Sequence, residues 1–294
     1  MTHLTLPEIL PGCADYGPIP EKTDRMAAVY LGENTVLTRL WSGHAMIVYT
    51  GDMIVMPHLI NLGVNEPHVT RTLISLIRPG DRFVDAGANI GYFSILAGWR
   101  VYPGGEVWSF EPNPNIYPIL ASNITNNGFE HCTQRRKLAL SDRTGAADLR
   151  IFKGYEATST IRALSDEFVT HTRNETGRDS YAVDVAVDTL DAQMAAVPAI
   201  DLMKIDVEGH ELSVIRGAVD ILRRSPTVKV VMEFVPPILG AGPAAELIAL
   251  VRSLGFSIYR IEHDGTFTAQ NDDHALAATE FADLLLIRQT APTH

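Results

Sequence analysis

Short apolar runs alternate with stretches in which apolar residues recur every three or four positions, and this rhythm dominates the chain from residue 66 onward. Between Glu66 and Ile77, Val69, Leu73, Ile74 and Ile77 share one helical face, and Pro79-Gly80 ends the helix. The pattern then predicts a strand at Phe83-Val84, a helix over Tyr92–Trp99, a strand at Val107–Phe110 and a helix over Ile116–Asn126. It continues with strands at Lys137–Leu140 and Leu202–Ile205, a helix over Glu211–Arg223, a strand at Val228–Phe234 and a helix over Ala244–Leu254. The late strands Phe256–Ile261 and Asp283–Ile287 have no full helix between them, which predicts an antiparallel pair at one edge. Alternation of this kind implies an α/β fold: a mostly parallel sheet, helices on both faces, and ligands at the carboxyl ends of the strands.

The flanks of this rhythm differ. The first 24 residues carry Pro7, Pro11, Pro18 and Pro20 and read as an extended lead-in or strap. Three β-like runs follow, Thr35–Leu40, Ala45–Tyr49 and Met53–Met56, separated by Gly43 and Gly51-Asp52, and predict a small antiparallel extension. Gly154 to Ser180 is polar and weakly periodic, and a stretch this long suggests a substrate-facing lid. The expected organisation is an N-terminal extension over 1–65, available for substrate or oligomer contacts, and a ligand-binding domain over 66–294 with a lid-like insertion at 154–181.

Bulk properties narrow the partners. The 294 residues, 46% hydrophobic and 20% charged, suit one large domain with decorations. A net charge of -11 argues against nucleic acid and anionic membranes, since Arg135-Arg136-Lys137 and Arg223-Arg224 are only short surface clusters. It leaves a small-molecule partner and leaves a homodimer open. Cys13 and Cys132 form neither a disulfide framework nor a zinc signature, which suits a reducing compartment. Met1–Pro7 is not a secretory signal, and no apolar run approaches the roughly 20 residues needed to span a bilayer. The expectation is a cytoplasmic protein.

Four clusters carry chemistry. In Asp85-Ala86-Gly87-Ala88-Asn89-Ile90-Gly91-Tyr92, a strand ends in an acid and a glycine loop opens a helix. Gly87 and Gly91 permit a tight turn, the helix start offers amides to a carboxylate, and Asp85 offers an acceptor to an ammonium. The methionine half of S-adenosylmethionine has both groups. A dinucleotide loop would need glycine where Asn89 and Tyr92 stand. In Phe110-Glu111-Pro112-Asn113-Pro114, Glu111 closes the next strand, placed for ribose hydroxyls or for a helix start. In Ala139-Leu140-Ser141-Asp142, Asp142 or the backbone beside it suits an adenine edge, or is ordinary turn chemistry. In Lys204-Ile205-Asp206-Val207-Glu208-Gly209-His210-Glu211, an apolar strand runs into three acids and a histidine. Asp206 and His210 are the candidate catalytic groups, for removing or orienting a proton, although the acids also suit a helix start. Glu233 ends the following strand, but with Asp206 it makes only two carboxylates, too few for a metal site, so no metal is expected.

Together these runs resemble the FkbM family of methyltransferases over roughly Asp52 to Phe234. The resemblance implies a class I, Rossmann-like fold with a seven-stranded sheet, one strand reversed near its edge. It implies S-adenosylmethionine as cofactor and S-adenosylhomocysteine as product. The methionine part would lie on Asp85, Ala86, Gly87, Asn89, Gly91 and Tyr92, the ribose on Glu111, Pro112 and Asn113, the adenine on Ser141 and Asp142, with Asp206 alongside. Gly63-Val64-Asn65-Glu66 is similar to the family's Gly-x-x-Glu and adds Glu66 to the pocket. The expected activity is O-methylation of a sugar or other secondary metabolite. The alternatives are carbon or nitrogen methylation of an aromatic, indole-like metabolite, a nucleotide-dependent oxidoreductase, and a non-catalytic nucleoside-binding protein.

Overall fold

In the computed structural model, which describes residues 3–19, 28–162, 179–277 and 281–288, the N-terminal part holds a helical turn, Leu6–Ile9, and a three-stranded antiparallel sheet. Its strands are β1 (Val29–Gly32), β2 (Thr35–Arg39) and β3 (Ala45–Tyr49). Met53–Met56, expected as a strand, instead leads into a helix, Val55–Asn61. Asp52 decides this locally: its Oδ1 accepts from the amides of Ile54 and Val55, both at 2.8 Å, and so satisfies donors that a helix start leaves unpaired.

The remaining strands are β4 (Arg82–Ala86), β5 (Glu106–Phe110), β6 (Thr133–Arg136), β7 (Ala139–Leu140), β8 (Gly145–Phe152), β9 (Tyr155–Thr160), β10 (Ser180–Asp188), β11 (Leu202–Ile205), β12 (Lys229–Phe234), β13 (Phe256–Ile261), β14 (Phe267–Gln270) and β15 (Ala282–Arg288). Eight of them form the central sheet, in the order β14-β13-β15-β12-β11-β4-β5-β6. From β12 to β6 all neighbours are parallel, whereas β15 runs against both of its neighbours. The late strands do pair antiparallel, but β15 lies inside the sheet and the edge is β14, an eighth strand beyond the expected seven.

The inner strands of this sheet send alternate side chains into two cores. Phe83, Val107, Leu202, Val231 and Leu285 face one side, and Val84, Trp108, Met203, Val230 and Leu286 the other. The first core is covered by the helices Pro67–Leu76, Tyr92–Val101 and Tyr117–Asn126, and it also takes in Met46, Val48 and Leu59 of the N-terminal part. Buried Asn123 joins these layers: it accepts from Ile47 N at 2.7 Å, and its Nδ2 donates to Ile47 O and Ile90 O. The second core is covered by Glu211–Arg216, Val219–Arg224 and Ala241–Ser253. The helix predicted over Glu211–Arg223 breaks at Gly217, where a Cβ would stand 1.9 Å from the Ser141 carbonyl oxygen.

A second sheet, β7-β10-β8-β9, occupies the stretch between β6 and β11. It corrects two expectations. The central strand placed at Lys137–Leu140 is in fact Thr133–Arg136, while Ala139 and Leu140 leave to pair with β10. Gly154–Thr160, expected as part of a polar lid, turns into β9, and Ser180 opens β10. Residues 163–178 of that predicted lid lie outside the described residues. Among the described residues no helix is long and apolar enough to cross a membrane.

Candidate active site

The chain runs β4, β5, β6 toward one edge of the sheet and β11, β12 toward the other, so the order reverses between β4 and β11. A crevice opens there at the carboxyl ends of the strands. Gly87 makes it possible: its φ is +82°, and a Cβ would stand 1.8 Å from the Asp206 carbonyl oxygen. The loop is held by its own amides. Gly87 and Ala88 donate to Phe110 O, Asn89 donates to Glu111 Oε2 at 2.8 Å, Ile90 to Asn89 Oδ1 and Gly91 to Ala88 O. The amides expected to greet a carboxylate are therefore taken between Gly87 and Gly91, and the loop acts as a rigid wall.

Glu111 is buried, with Oε1 accepting from Asn113 N at 2.7 Å and Oε2 from Asn89 N. Burial outweighs these two amides and pushes its carboxyl up to about 7. Phe110, Ile116, Ala139, Leu140 and Leu149 supply apolar lining beside it. β9 closes this end: Glu156, Ala157 and Ser159 line the cleft, Ser159 Oγ accepts from Asn113 Nδ2 at 3.2 Å, and Thr160 Oγ1 donates to Glu208 O at 2.9 Å. The N-terminal part holds β9 in turn, since Asp52 Oδ2 accepts from Ala157 N at 2.8 Å.

At the other end, Asp206 follows β11 and its amide donates to Ala86 O at 3.0 Å. Lys204 Nζ donates to Asp206 Oδ2 at 2.7 Å and lies 4.5 Å from the Phe93 ring centre. Burial alone would lower the Lys204 pKa, but the charges of Asp206, Glu66 and Asp85 outweigh it and hold the ammonium firmly protonated. Glu208 and Glu233 complete an acidic group with Asp206. Burial, then the Asp206 charge, raises Glu208 to about 8 and Glu233 to about 11. Glu66 is raised to about 7, mainly by burial, against the pull of Lys204.

Residues 85–258 match the methyltransferase FkbM domain. The chain belongs to the FkbM methyltransferase family. Over 196 residues it is 32% identical to methyltransferase sdnD of Sordaria araneosa, covering 60% of this chain and 74% of that one. Over 224 residues it is 28% identical to the 31-O-demethyl-FK506 methyltransferase FkbM of Streptomyces tacrolimicus, covering 70% and 83%. Over 162 residues it is 26% identical to the hexuronic acid methyltransferase AglP of Haloferax volcanii, covering 54% and 58%.

Within this methyltransferase, the predicted residues divide into three groups. Gly87, Asn89, Glu111, Pro112, Asp206 and His210 line one cleft. Asp85, Ala86, Gly91, Asn113 and Ser141 are buried supports at its rim. Asp85 Oδ2 accepts from Ser94 Oγ at 2.6 Å while its Oδ1, also buried, has no hydrogen-bond partner among the described residues. Tyr92, Asp142 and Glu66 are not among the residues that line this cleft. Tyr92 is buried in the first core, its hydroxyl accepting from Trp41 Nε1 at 3.2 Å and lying 3.1 Å from Thr70 Oγ1. Asp142 faces Arg143 and Arg216, both at 3.7 Å. Glu66 accepts from Asn65 Nδ2 and faces Lys204. His210 Nε2 lies 3.0 Å from Ser141 Oγ; burial lowers its pKa to about 4, and its charged neighbours are Asp142 and Arg143.

The sequence reading missed Glu208 and Lys204 as site residues, although both stand in a quoted motif. It missed Glu156 and Ser159 because their strand looked like polar loop. The donor set fits S-adenosylmethionine: an unpaired buried carboxylate oxygen under the glycine loop suits an ammonium, Glu111 suits hydroxyls, and Phe110 with Leu140 suits a base.

Proposed function

We propose that this enzyme methylates a hydroxyl group of a small metabolite, a sugar or a comparable polyoxygenated compound. The observation that carries this reading is the acidic group Asp206, Glu208 and Glu233, of which Asp206 and Glu208 line the cleft, where Asp206 can receive a hydroxyl proton. S-adenosylmethionine supplies an electrophilic methyl sulfonium when bound. Gly87, Glu111 and the β9 wall then fix the donor, and the acidic group fixes the acceptor opposite it. Such positioning is worth about 7–11 kcal/mol of the barrier. An aliphatic hydroxyl also needs proton removal, for which a carboxylate adds roughly 10²–10⁴-fold.

Between the two candidate bases, geometry favours Asp206. His210 sits against Ser141 at the nucleoside end, and a pKa near 4 makes it a weak base. Glu208, raised to about 8, is a further acceptor near operating pH. The N-terminal part, through Asp52 and β9, is the part of the chain we assign to acceptor choice. Two relatives support a small oxygen-rich acceptor by their names, one for 31-O-demethyl-FK506 and one for a hexuronic acid.

The test is incubation of the enzyme with S-adenosylmethionine carrying a labelled methyl and a panel of glycosides, polyols and indoles. Label on an oxygen of a glycoside or polyol supports the reading. Label confined to carbon or nitrogen of the indoles replaces it with the aromatic alternative.

A further inference from the structure

The sequence offered Asp206 and Glu233, and the fold adds a third carboxylate. Ile205 of β11 pairs with Met232 of β12, so Asp206 and Glu233 leave neighbouring parallel strands side by side. Glu208 returns to them from the turn after β11, with φ at +55°. One carboxylate oxygen from each of the three lies within 4.8 Å of the others. Oxygens bound to one Mg²⁺ at about 2.0–2.1 Å lie up to about 4.2 Å apart, so shifts of about half an ångström or less bring all three carboxylates onto one cation.

A second observation concerns Glu211, whose side chain is only 2% exposed. Its Oε1 accepts from Gly209 N at 3.0 Å, so the carboxylate folds back onto the turn that carries Glu208. Its Oε2 is buried and has no hydrogen-bond partner among the described residues. The carboxylate interacts electrostatically with Asp206, Glu208 and Glu233 alike. Facing these four acids are Lys204, whose ammonium already bonds Asp206 and is shared with Glu66 and Asp85, and Arg162, which is drawn to Glu211 and Glu208. With Glu66 and Asp85, six carboxyls thus face two cations among the described residues, and one buried acid oxygen is left without a donor among them.

We propose that Asp206, Glu208 and Glu233 hold a divalent cation, Mg²⁺ or Mn²⁺ by the hardness of its oxygen donors, with Glu211 as an acid in its outer shell. The cation site stands on these carboxylates alone. That the acceptor hydroxyl completes the coordination rests on the O-methylation reading above. In that arrangement the cation would lower the hydroxyl pKa, a carboxylate oxygen not on the ion would take the O–H proton, and the hydroxyl oxygen would bond the methyl carbon as the S–CH3 bond breaks to leave the neutral thioether.

The experiment is titration of the full chain, stripped with chelator, with Mn²⁺ followed by electron paramagnetic resonance. S-adenosylhomocysteine affinity is measured on the same samples. One saturable Mn²⁺ site per chain, competed by Mg²⁺ and weakened about tenfold or more in both Glu233→Gln and Glu208→Gln, is the expected result. Glu111→Ala should weaken S-adenosylhomocysteine and leave Mn²⁺ binding in place. Absence of saturable Mn²⁺ binding, or wild-type affinity in both glutamine variants with unchanged circular dichroism, overturns the proposal. If S-adenosylhomocysteine still binds in that case, the cofactor reading stands without the cation; Mn²⁺ binding with no S-adenosylhomocysteine binding removes the cofactor reading and keeps the cation.

Discussion

Replacing Gly87 by alanine tests the geometry that opens the cleft. The substitution adds one methyl group at φ +82°, in a region where a Cβ costs about 1–2 kcal/mol. That methyl would also stand 1.8 Å from the Asp206 carbonyl oxygen and 2.9 Å from its carbon. Real Cβ atoms essentially never come within 3.0 Å of such neighbours, so the loop and the β11 tip must part by more than an ångström. Overpacking of this kind adds about 1–3 kcal/mol. The movement also stretches the 3.0 Å bond from Asp206 N to Ala86 O, which joins the two tips. A total of about 2–5 kcal/mol is below the 5–15 kcal/mol of a typical domain, so the variant should fold. At about 2–4 °C per kcal/mol for a chain of this size, melting should fall by roughly 4–20 °C. S-adenosylhomocysteine affinity, read by calorimetry well below the melting range, should fall with it because both walls of the cleft have moved. A melting temperature within about 2 °C of wild type together with unaltered affinity would refute the reasoning.

Three further outcomes follow from the site. Asp206→Asn should lower turnover by roughly 10²–10⁴-fold while S-adenosylhomocysteine affinity changes far less; unchanged turnover at saturating acceptor would remove Asp206 from the chemistry. His210, held near pKa 4 against an ordinary 6.5, should cost stability as acid is added. Between pH 6.5 and 4 the unfolded chain takes up a proton that the native site refuses, so about 2–4 kcal/mol is lost over that window, and His210→Gln should flatten this part of a melting-versus-pH curve. Glu233, raised to about 11, works in the opposite direction. Its contribution is fully present below pH 4.5 and declines as pH rises, because the native state must keep a proton that the unfolded chain gives up. In chelator-treated protein at pH 8, Glu233→Gln should therefore melt roughly 5–10 °C above wild type and converge with it below pH 4.5, and a lower melting temperature at pH 8 would contradict this.

The central sheet was legible where strands are buried on both faces, because continuous apolar runs such as Leu202–Ile205 have few other readings. The edge strand β6 is Thr-Gln-Arg-Arg, whose side chains carry no apolar signal while its backbone pairs with β5, so the apolar run just after it drew the assignment instead. Met53–Met56 shows the reverse failure: four apolar residues suit a strand or a helix, and the deciding Asp52 bonds depend on its position beside β9. In β10, Tyr181, Val183, Val185 and Val187 do alternate, yet the polar run before them concealed the strand. The site divides likewise. Gly87, Glu111 and Asp206 come to the cleft lining because each closes or follows a strand of the parallel set. Tyr92 was misplaced because a helix that starts at the cleft turns its first residue into the core, onto Trp41 and Thr70. Glu208 looked like an acid favouring a helix start, and only its left-handed turn brings it back beside Glu233.

The reading stands or falls with S-adenosylmethionine in the crevice between β4 and β11. A crystal structure of this chain grown with S-adenosylhomocysteine tests it most directly. The amino-acid end should lie against the Gly87 loop and Asp206, the ribose hydroxyls on Glu111 and the base between Leu140 and His210. Density for the ligand elsewhere on the molecule, with Glu111 and His210 untouched, would contradict it.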